Sequence, residues 1–205
     1  MESSLCWQCG GEAGGTLICP QCRSLQPPPS DYFRILGLEP RLGLDAGELQ
    51  KRFYELSRLL HPDRFQRSSE RERRYSLEAT AVLNDAYRTL REPVARAEYV
   101  LKRNGLEIGV ERSRNVPAEL LEEVFELNMA LEELRGGERQ ARPQLEQARG
   151  KFLTLREQAD ARLGELFGRW DAAPDAAVLE EIRGVLNRRR YIRNLVAEVD
   201  KELAA

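Results

Sequence analysis

The chain of 205 residues has little of what most enzymes rely on. It holds a single histidine, so a Ser-His-Asp set would have to be built on that one residue, and no acid–base pair of imidazoles is available. No glycine-rich phosphate loop is present. Aromatic residues make up 7% of the chain and methionine only two positions. The formal net charge of -2 leaves no global basic excess to hold nucleic acid. No apolar run approaches the roughly 18 residues that span a bilayer. No basic and apolar leader opens the chain, which sets the expectation of a protein without a secretion signal. Cysteine is absent after position 22.

What is present points to helices. Charged residues make up 32% of the chain and apolar ones 41%, the balance of a soluble, helix-rich protein with one or two modest cores. The expected fold class is all-α. A small unit over residues 1–26 comes first, then a proline linker over 27–30 and a helical domain over 31–104. A second linker over 105–115 leads to a three-helix bundle over 116–205.

The four cysteines come as two phased pairs, Cys6-x-x-Cys9 and Cys19-x-x-Cys22. Each pair puts two thiolates on one tight turn, and two such turns complete a tetrahedron. Without an export signal the pattern favours metal over disulfide. Four thiolates close the site, so the expected ion is a structural zinc. A segment this short cannot bury a core, and the metal must supply its folding energy. Two disulfides or a redox-active Cys-x-x-Cys are the competing readings. A nucleic-acid finger using Arg188-Arg189-Arg190 is a third, and the net charge opposes it.

The lone histidine stands in Leu59-Leu60-His61-Pro62-Asp63-Arg64-Phe65. Asp45 and Glu48 read as an Asp form of the capping box ahead of a helix with Leu49, Phe53, Leu56 and Leu60 on one face. Ser69 and Glu72 open another helix, with Leu83, Ala86, Tyr87 and Leu90 on its stripe. Pro62 cannot continue the first helix, so His61-Pro62-Asp63 is expected as the loop between the two, its polar side chains outward. Lys51, Arg52 and Arg58 lie off the buried stripe. Asp31 or Ser30 caps a short helix that Gly37 stops, and Pro93 begins the helix that ends at Asn104-Gly105.

In the C-terminal part, Pro117 suits the start of a helix to about Leu134. Leu120, Val124, Leu127, Leu131 and Leu134 alternate spacings of four and three, the seam of a bundle. Leu121, Phe125 and Met129 form a second row that one neighbour cannot easily cover, flanked by Glu122, Glu126 and Glu133. After Gly136-Gly137 a long helix carries Leu145, Ala148, Phe152, Leu155, Ala159, Leu166 and Trp170. The last helix, opened by Pro174, carries Val178, Ile182, Val185, Ile192 and Val199, with Tyr191 off that seam. Three antiparallel helices with short connections make a bundle.

The runs Asp31-Tyr32-Phe33-Arg34-Ile35-Leu36-Gly37-Leu38, His61-Pro62-Asp63 and Asn84-Asp85-Ala86-Tyr87-Arg88-Thr89-Leu90 together resemble a J domain. Pro93-Val94-Ala95-Arg96-Ala97-Glu98-Tyr99-Val100-Leu101 narrows the resemblance to HscB-type J proteins, the co-chaperones of iron-sulfur cluster assembly. It covers almost the whole chain, including the paired cysteines that mitochondrial members often carry.

The resemblance implies a protein that is not itself an enzyme. It implies docking on a DnaK- or HscA-type ATP-dependent chaperone through His61, Pro62 and Asp63, with Lys51, Arg52 and Arg58 steering the approach. It implies binding of an IscU-type scaffold through Leu121, Phe125, Glu126, Met129, Glu133 and Tyr191. Two departures stand out. Tyr54 and Glu55 interrupt the basic face, and Met129 stands where relatives often have an acid. The expected compartment is the cytoplasm, with the mitochondrial matrix as the alternative. A general J protein for unfolded clients is the rival reading.

Overall fold

Most helices of the first half begin on a side chain that serves their unpaired backbone donors. In a computed structural model, which describes residues 5–109 and 120–204, helix α1 (Tyr32–Leu36) starts at Asp31, whose carboxylate accepts from the N–H groups of Phe33 and Arg34. Gly37 ends it at φ +64°, a left-handed position that favours glycine. Helix α2 (Ala46–Leu60) starts at Asp45, which accepts from the Glu48 N–H. The expected reciprocal half of that box does not form, because the Glu48 carboxylate pairs with Arg52 one turn on. Helix α3 (Glu70–Arg91) carries the complete box between Ser69 and Glu72. Helix α4 (Pro93–Arg103) begins at the proline the sequence marks.

His61-Pro62-Asp63 is more ordered than a plain loop. Pro62–Phe65 forms a turn of 3-10 helix with Pro62 in its first position, where a missing N–H costs nothing. The end of α2 just before it is held by α3. Ser76, fully buried, donates its hydroxyl to the Leu60 carbonyl at 2.6 Å, and Thr80 approaches the same oxygen at 3.5 Å. Further back, Phe53 stacks on Tyr87 with centroids 4.2 Å apart. These pairings run in opposite directions along the two helices, so α2 and α3 are antiparallel.

The described residues fall into two units that divide between Arg96 and Ala97. In the first, both α1 and α2 pack on α3. Phe33, Ile35, Leu36, Leu42, Leu49, Leu60, Leu83 and Leu90 are its buried side chains. Phe53 and Leu56, expected on the same stripe, are half-buried. Arg96 is buried, and its guanidinium donates to the carbonyls of Leu42 and Leu90, closing the loop after α1 onto the end of α3.

The second unit holds α5 (Leu121–Arg135), α6 (Arg142–Ala172) and α7 (Ala176–Ala204), with a 3-10 turn at Arg139–Ala141 before α6. Leu120, Val124, Leu127 and Leu131 join Leu145 and Phe152 of α6 and Ile192, Val196 and Val199 of α7 in one core. Val185 of the expected seam is half-buried, whereas Leu179, Leu186 and Leu195 are buried. Helices α6 and α7 are laced on their outer faces by Arg162 and Arg169 on Glu181, Arg149 on Asp200, and Arg189 on Asp160. Exposed pairs of this kind contribute little individually. The expected helix start at Pro117 and part of the expected 105–115 linker lie outside the described residues. No helix among the described residues is long and apolar enough to cross a membrane.

Candidate chaperone loop, scaffold face and metal centre

The three groups of expected site residues lie on α2 and the 3-10 turn after it, on α5 and α7, and on the two cysteine turns. The His61-Pro62-Asp63 turn is at the surface: His61 and Asp63 are exposed, and the Asp63 N–H donates to His61 Nδ1 at 3.3 Å. The imidazole also lies 3.5 Å from the Asp63 carboxylate, whose other oxygen accepts from Gln66. The carboxylate is thus presented outward on a short, proline-stiffened turn whose root is clamped by Ser76. Of the expected steering cations, Lys51 and Arg58 are exposed and have no ion-pair partner among the described residues. Arg52 is committed internally. It pairs with Glu48 at 3.1 Å and donates to the Gly37 carbonyl at 2.9 Å, tying α2 to the end of α1.

On α5 the two apolar rows separate as the spacing predicts. The seam is buried except at half-buried Leu134, while Leu121, Phe125 and Met129 keep 54%, 65% and 49% of their surface in solvent. Beside them Glu126, Met129, Glu133, Gln144, Gln147 and Lys151 line a hollow of about 370 Å³ between α5 and α6. Glu126 is paired with Lys151 across that hollow at 3.3 Å. Tyr191 differs from the row. It is half-buried against the bundle core, and burial, followed by the nearby Glu198 charge, pushes its hydroxyl above the usual tyrosine range.

The cysteines converge. Their four sulfurs lie within 4.8 Å of one another. Cys6 and Cys22 are 3.6 Å apart and Cys9 and Cys19 3.9 Å. A tetrahedron of thiolates at zinc–sulfur distances of about 2.3 Å has edges of about 3.8 Å, so this donor set fits one such ion. All four thiols are free, with Cys6 and Cys19 buried.

The two turns repeat one geometry. Gly10 N–H donates to the Cys6 carbonyl and Arg23 N–H to the Cys19 carbonyl, and each turn is closed by a single β-bridge, Leu5 to Glu12 and Ile18 to Leu25. Two residues not expected from the sequence complete the site. Ser24 and Gln26 are buried polar side chains. The Gln26 amide donates to Cys6 Sγ at 3.3 Å, and the Ser24 hydroxyl lies 3.3 Å from Cys6 Sγ and 3.1 Å from Cys22 Sγ. Burial raises the Cys6 thiol, but Ser24 and the N–H groups around it outweigh that and bring it to about 5. The Gly11 N–H lowers Cys9, but burial and the crowding of three other sulfurs push it up to about 11. Four thiolates this close repel one another, and a cation among them would supply the compensating charge, so the cluster could hold a metal ion. The only sequence signal for this outer layer is two polar residues directly after the second pair.

The knuckle is also fastened to the helices. Trp7 donates its indole N–H to the Leu25 carbonyl, sits edge-on to Tyr75 and lies under the Arg71 guanidinium at 4.9 Å. The Leu25 N–H donates to the Glu72 carboxylate that also caps α3.

An outward His-Pro-Asp turn between two antiparallel helices, with a short helix packed across them, defines a J domain. A DnaJ-domain family model matches residues 31–99. Human iron-sulfur cluster co-chaperone protein HscB is 31% identical over 200 residues, covering 95% of this chain and 80% of the relative. The co-chaperone HscB homolog of Shewanella loihica is 31% identical over 173 residues, covering 83% of this chain and 96% of that one. The crystal structure of human HscB matches with a TM-score of 0.67 at 30% identity, over 98% of this chain and all of that one. HscB from Vibrio cholerae matches with a TM-score of 0.56 at 28% identity, over 83% and 96%. The chain belongs to the HscB family of iron-sulfur cluster co-chaperones.

Proposed function

We propose that this protein carries an IscU-type iron-sulfur scaffold to a DnaK- or HscA-type chaperone and stimulates ATP hydrolysis there, promoting cluster transfer. The observation that carries the reading is the row Leu121, Phe125 and Met129. These side chains stay in solvent on a helix whose other face is buried. Large apolar side chains left exposed beside acids have the composition of a protein-binding patch. Glu126 and Glu133 supply its polar rim, and Tyr191, half-buried at the core edge, contributes its rim-side surface.

The chemistry happens in the partner. Asp63 brings a fixed negative charge to the ATP-bound chaperone, and His61 orients the turn through its contact with the Asp63 N–H. Pro62 and the Ser76 clamp keep the turn rigid, so little ordering entropy is lost on docking. Lys51 and Arg58 steer association toward an acidic surface, and Arg52 adds charge while fixing the helix. The protein itself turns over no substrate. The iron-sulfur cluster is cargo of the scaffold.

The knuckle holds a structural zinc through Cys6, Cys9, Cys19 and Cys22. The proposed compartment is the cytoplasm, with the mitochondrial matrix as the alternative.

The test is steady-state ATP turnover by the cognate chaperone with this protein, with the scaffold, and with both. Greater-than-additive stimulation by both is expected. Equal stimulation with and without scaffold would assign the chain to general clients instead, and no stimulation at all would remove the reading.

A further inference from the structure

Between the metal knuckle and the J-domain helices runs a groove of about 480 Å³. The knuckle side is Ile18, Cys19, Pro20 and Arg23, and the helical side is Leu59, Arg64 and Phe65. At Ile18 and Leu59 it opens into a second hollow along α2. Arg64 and Phe65 belong to the same 3-10 turn as Pro62 and Asp63. Asp63 and two of the groove's lining residues are therefore neighbours on one short turn.

The lining is apolar with two arginines and no carboxylate. Neither Arg23 nor Arg64 has an ion-pair partner among the described residues, and both are exposed.

A second, independent observation concerns Arg23. The two cysteine turns are equivalent, and each needs a left-handed residue directly after its second cysteine. Gly10 fills that position in the first turn at φ +72°. Arg23 fills it in the second at φ +61°, and it is the one non-glycine residue with positive φ among those described. A long side chain there is held against a local conformational cost that glycine would avoid. A non-glycine residue in this region is uncommon, and such positions cluster at functional sites. Arg23 donates only its backbone N–H to the fold.

We propose that the knuckle is part of the chaperone-docking face. Arg23 and Arg64, with the apolar floor of Ile18, Leu59 and Phe65, receive an acidic, apolar-edged surface of the ATP-bound chaperone next to the one that meets Asp63. This rests on the reading of the His-Pro-Asp turn as the chaperone contact. The metal then has a functional consequence: it holds one wall of the interface in place, and the Trp7, Tyr75, Arg71 and Glu72 contacts fix that wall to α3.

The test compares full-length Arg23→Glu, Arg23→Gly and Asp63→Asn with the native chain. Each is titrated into the cognate chaperone while ATP turnover is read, at two salt concentrations, with metal content and scaffold affinity measured in parallel. Arg23→Glu should keep its metal and its scaffold affinity but need about tenfold more protein for half-maximal stimulation, more so at low salt. Arg23→Gly relieves the turn, so it should hold metal at least as firmly as the native chain and still need several-fold more protein. Asp63→Asn should lose stimulation outright. Native-like titration curves for both Arg23 variants, alongside an inactive Asp63→Asn, would overturn the groove assignment and leave the proposed function standing. A loss of scaffold affinity in Arg23→Glu would give the groove to the scaffold and equally overturn it. Native stimulation by Asp63→Asn would instead remove the underlying reading.

Discussion

Phe125→Ala tests whether the exposed row of α5 docks a partner or serves the fold. Phe125 keeps 65% of its surface in solvent, whereas Leu127, two residues on along the same helix, keeps none. Burying a Phe or Leu side chain fully is worth about 1.5–3 kcal/mol, so a partner covering the exposed two thirds of Phe125 gains about 1–2 kcal/mol. At 1.4 kcal/mol per decade that is roughly a 5- to 30-fold loss of scaffold affinity in Phe125→Ala. The free protein should barely notice, with a stability change within about 0.5 kcal/mol, as for surface substitutions in general. Leu127→Ala is the converse. It removes a fully buried seam residue and should cost about 2–5 kcal/mol of bundle stability without touching the scaffold. Titration calorimetry with the scaffold and urea unfolding of the free protein read the two quantities. Native scaffold affinity in Phe125→Ala would refute the assignment of this row. A large stability loss in the same variant would show that the row is core.

Three further outcomes follow from the geometry. Ser76→Ala should destabilise the J domain by about 1–3 kcal/mol, because the buried Leu60 carbonyl loses its 2.6 Å donor and keeps only Thr80 at 3.5 Å. Denaturant unfolding followed by α2–α3 amide exchange reads this, and unchanged protection at the end of α2 would contradict it. Arg96→Leu should cost several kcal/mol, about 1–3 for each of the Leu42 and Leu90 carbonyls left unpaired. A melting temperature equal to that of the native chain would count against it. Metal removal by a strong chelator should red-shift Trp7 fluorescence while leaving the far-ultraviolet helix signal almost intact, since the knuckle holds no helix. Trp170 is buried in α6, so Trp170→Phe protein isolates the reporter, and an unshifted Trp7 would show a knuckle that folds without metal.

Most helix starts were legible in the sequence because they are local. Asp31, Asp45, Ser69 and Pro93 act on backbone groups within one turn of themselves. The seam of α5 and its unused row were legible for the same reason, as periodicity on one helix. What escaped is tertiary. The Glu48 carboxylate turns to Arg52 because an arginine one turn on competes with the capping site. Leu56 lines the hollow beside the knuckle and Phe53 stacks on Tyr87, so both are half-buried on a stripe that spacing alone would bury completely. Leu179 and Leu195 are buried as well, because a helix of 29 residues packed against a longer neighbour covers more than one face. The convergence of the four cysteines was plain from two phased pairs. Ser24 and Gln26, which hold their sulfurs, carry no spacing rule. The docking of Trp7 on Tyr75 joins residues 68 positions apart, which no local pattern reports.

In the proposed function an exposed carboxylate on a rigid turn drives the chaperone while a separate helical face holds the scaffold. One measurement tests it most directly: single-turnover ATP hydrolysis by the scaffold-loaded chaperone with native or Asp63→Asn protein, with scaffold affinity measured on the same samples. Asp63→Asn should lose stimulation and keep its scaffold affinity. Stimulation equal to that of the native chain would contradict it.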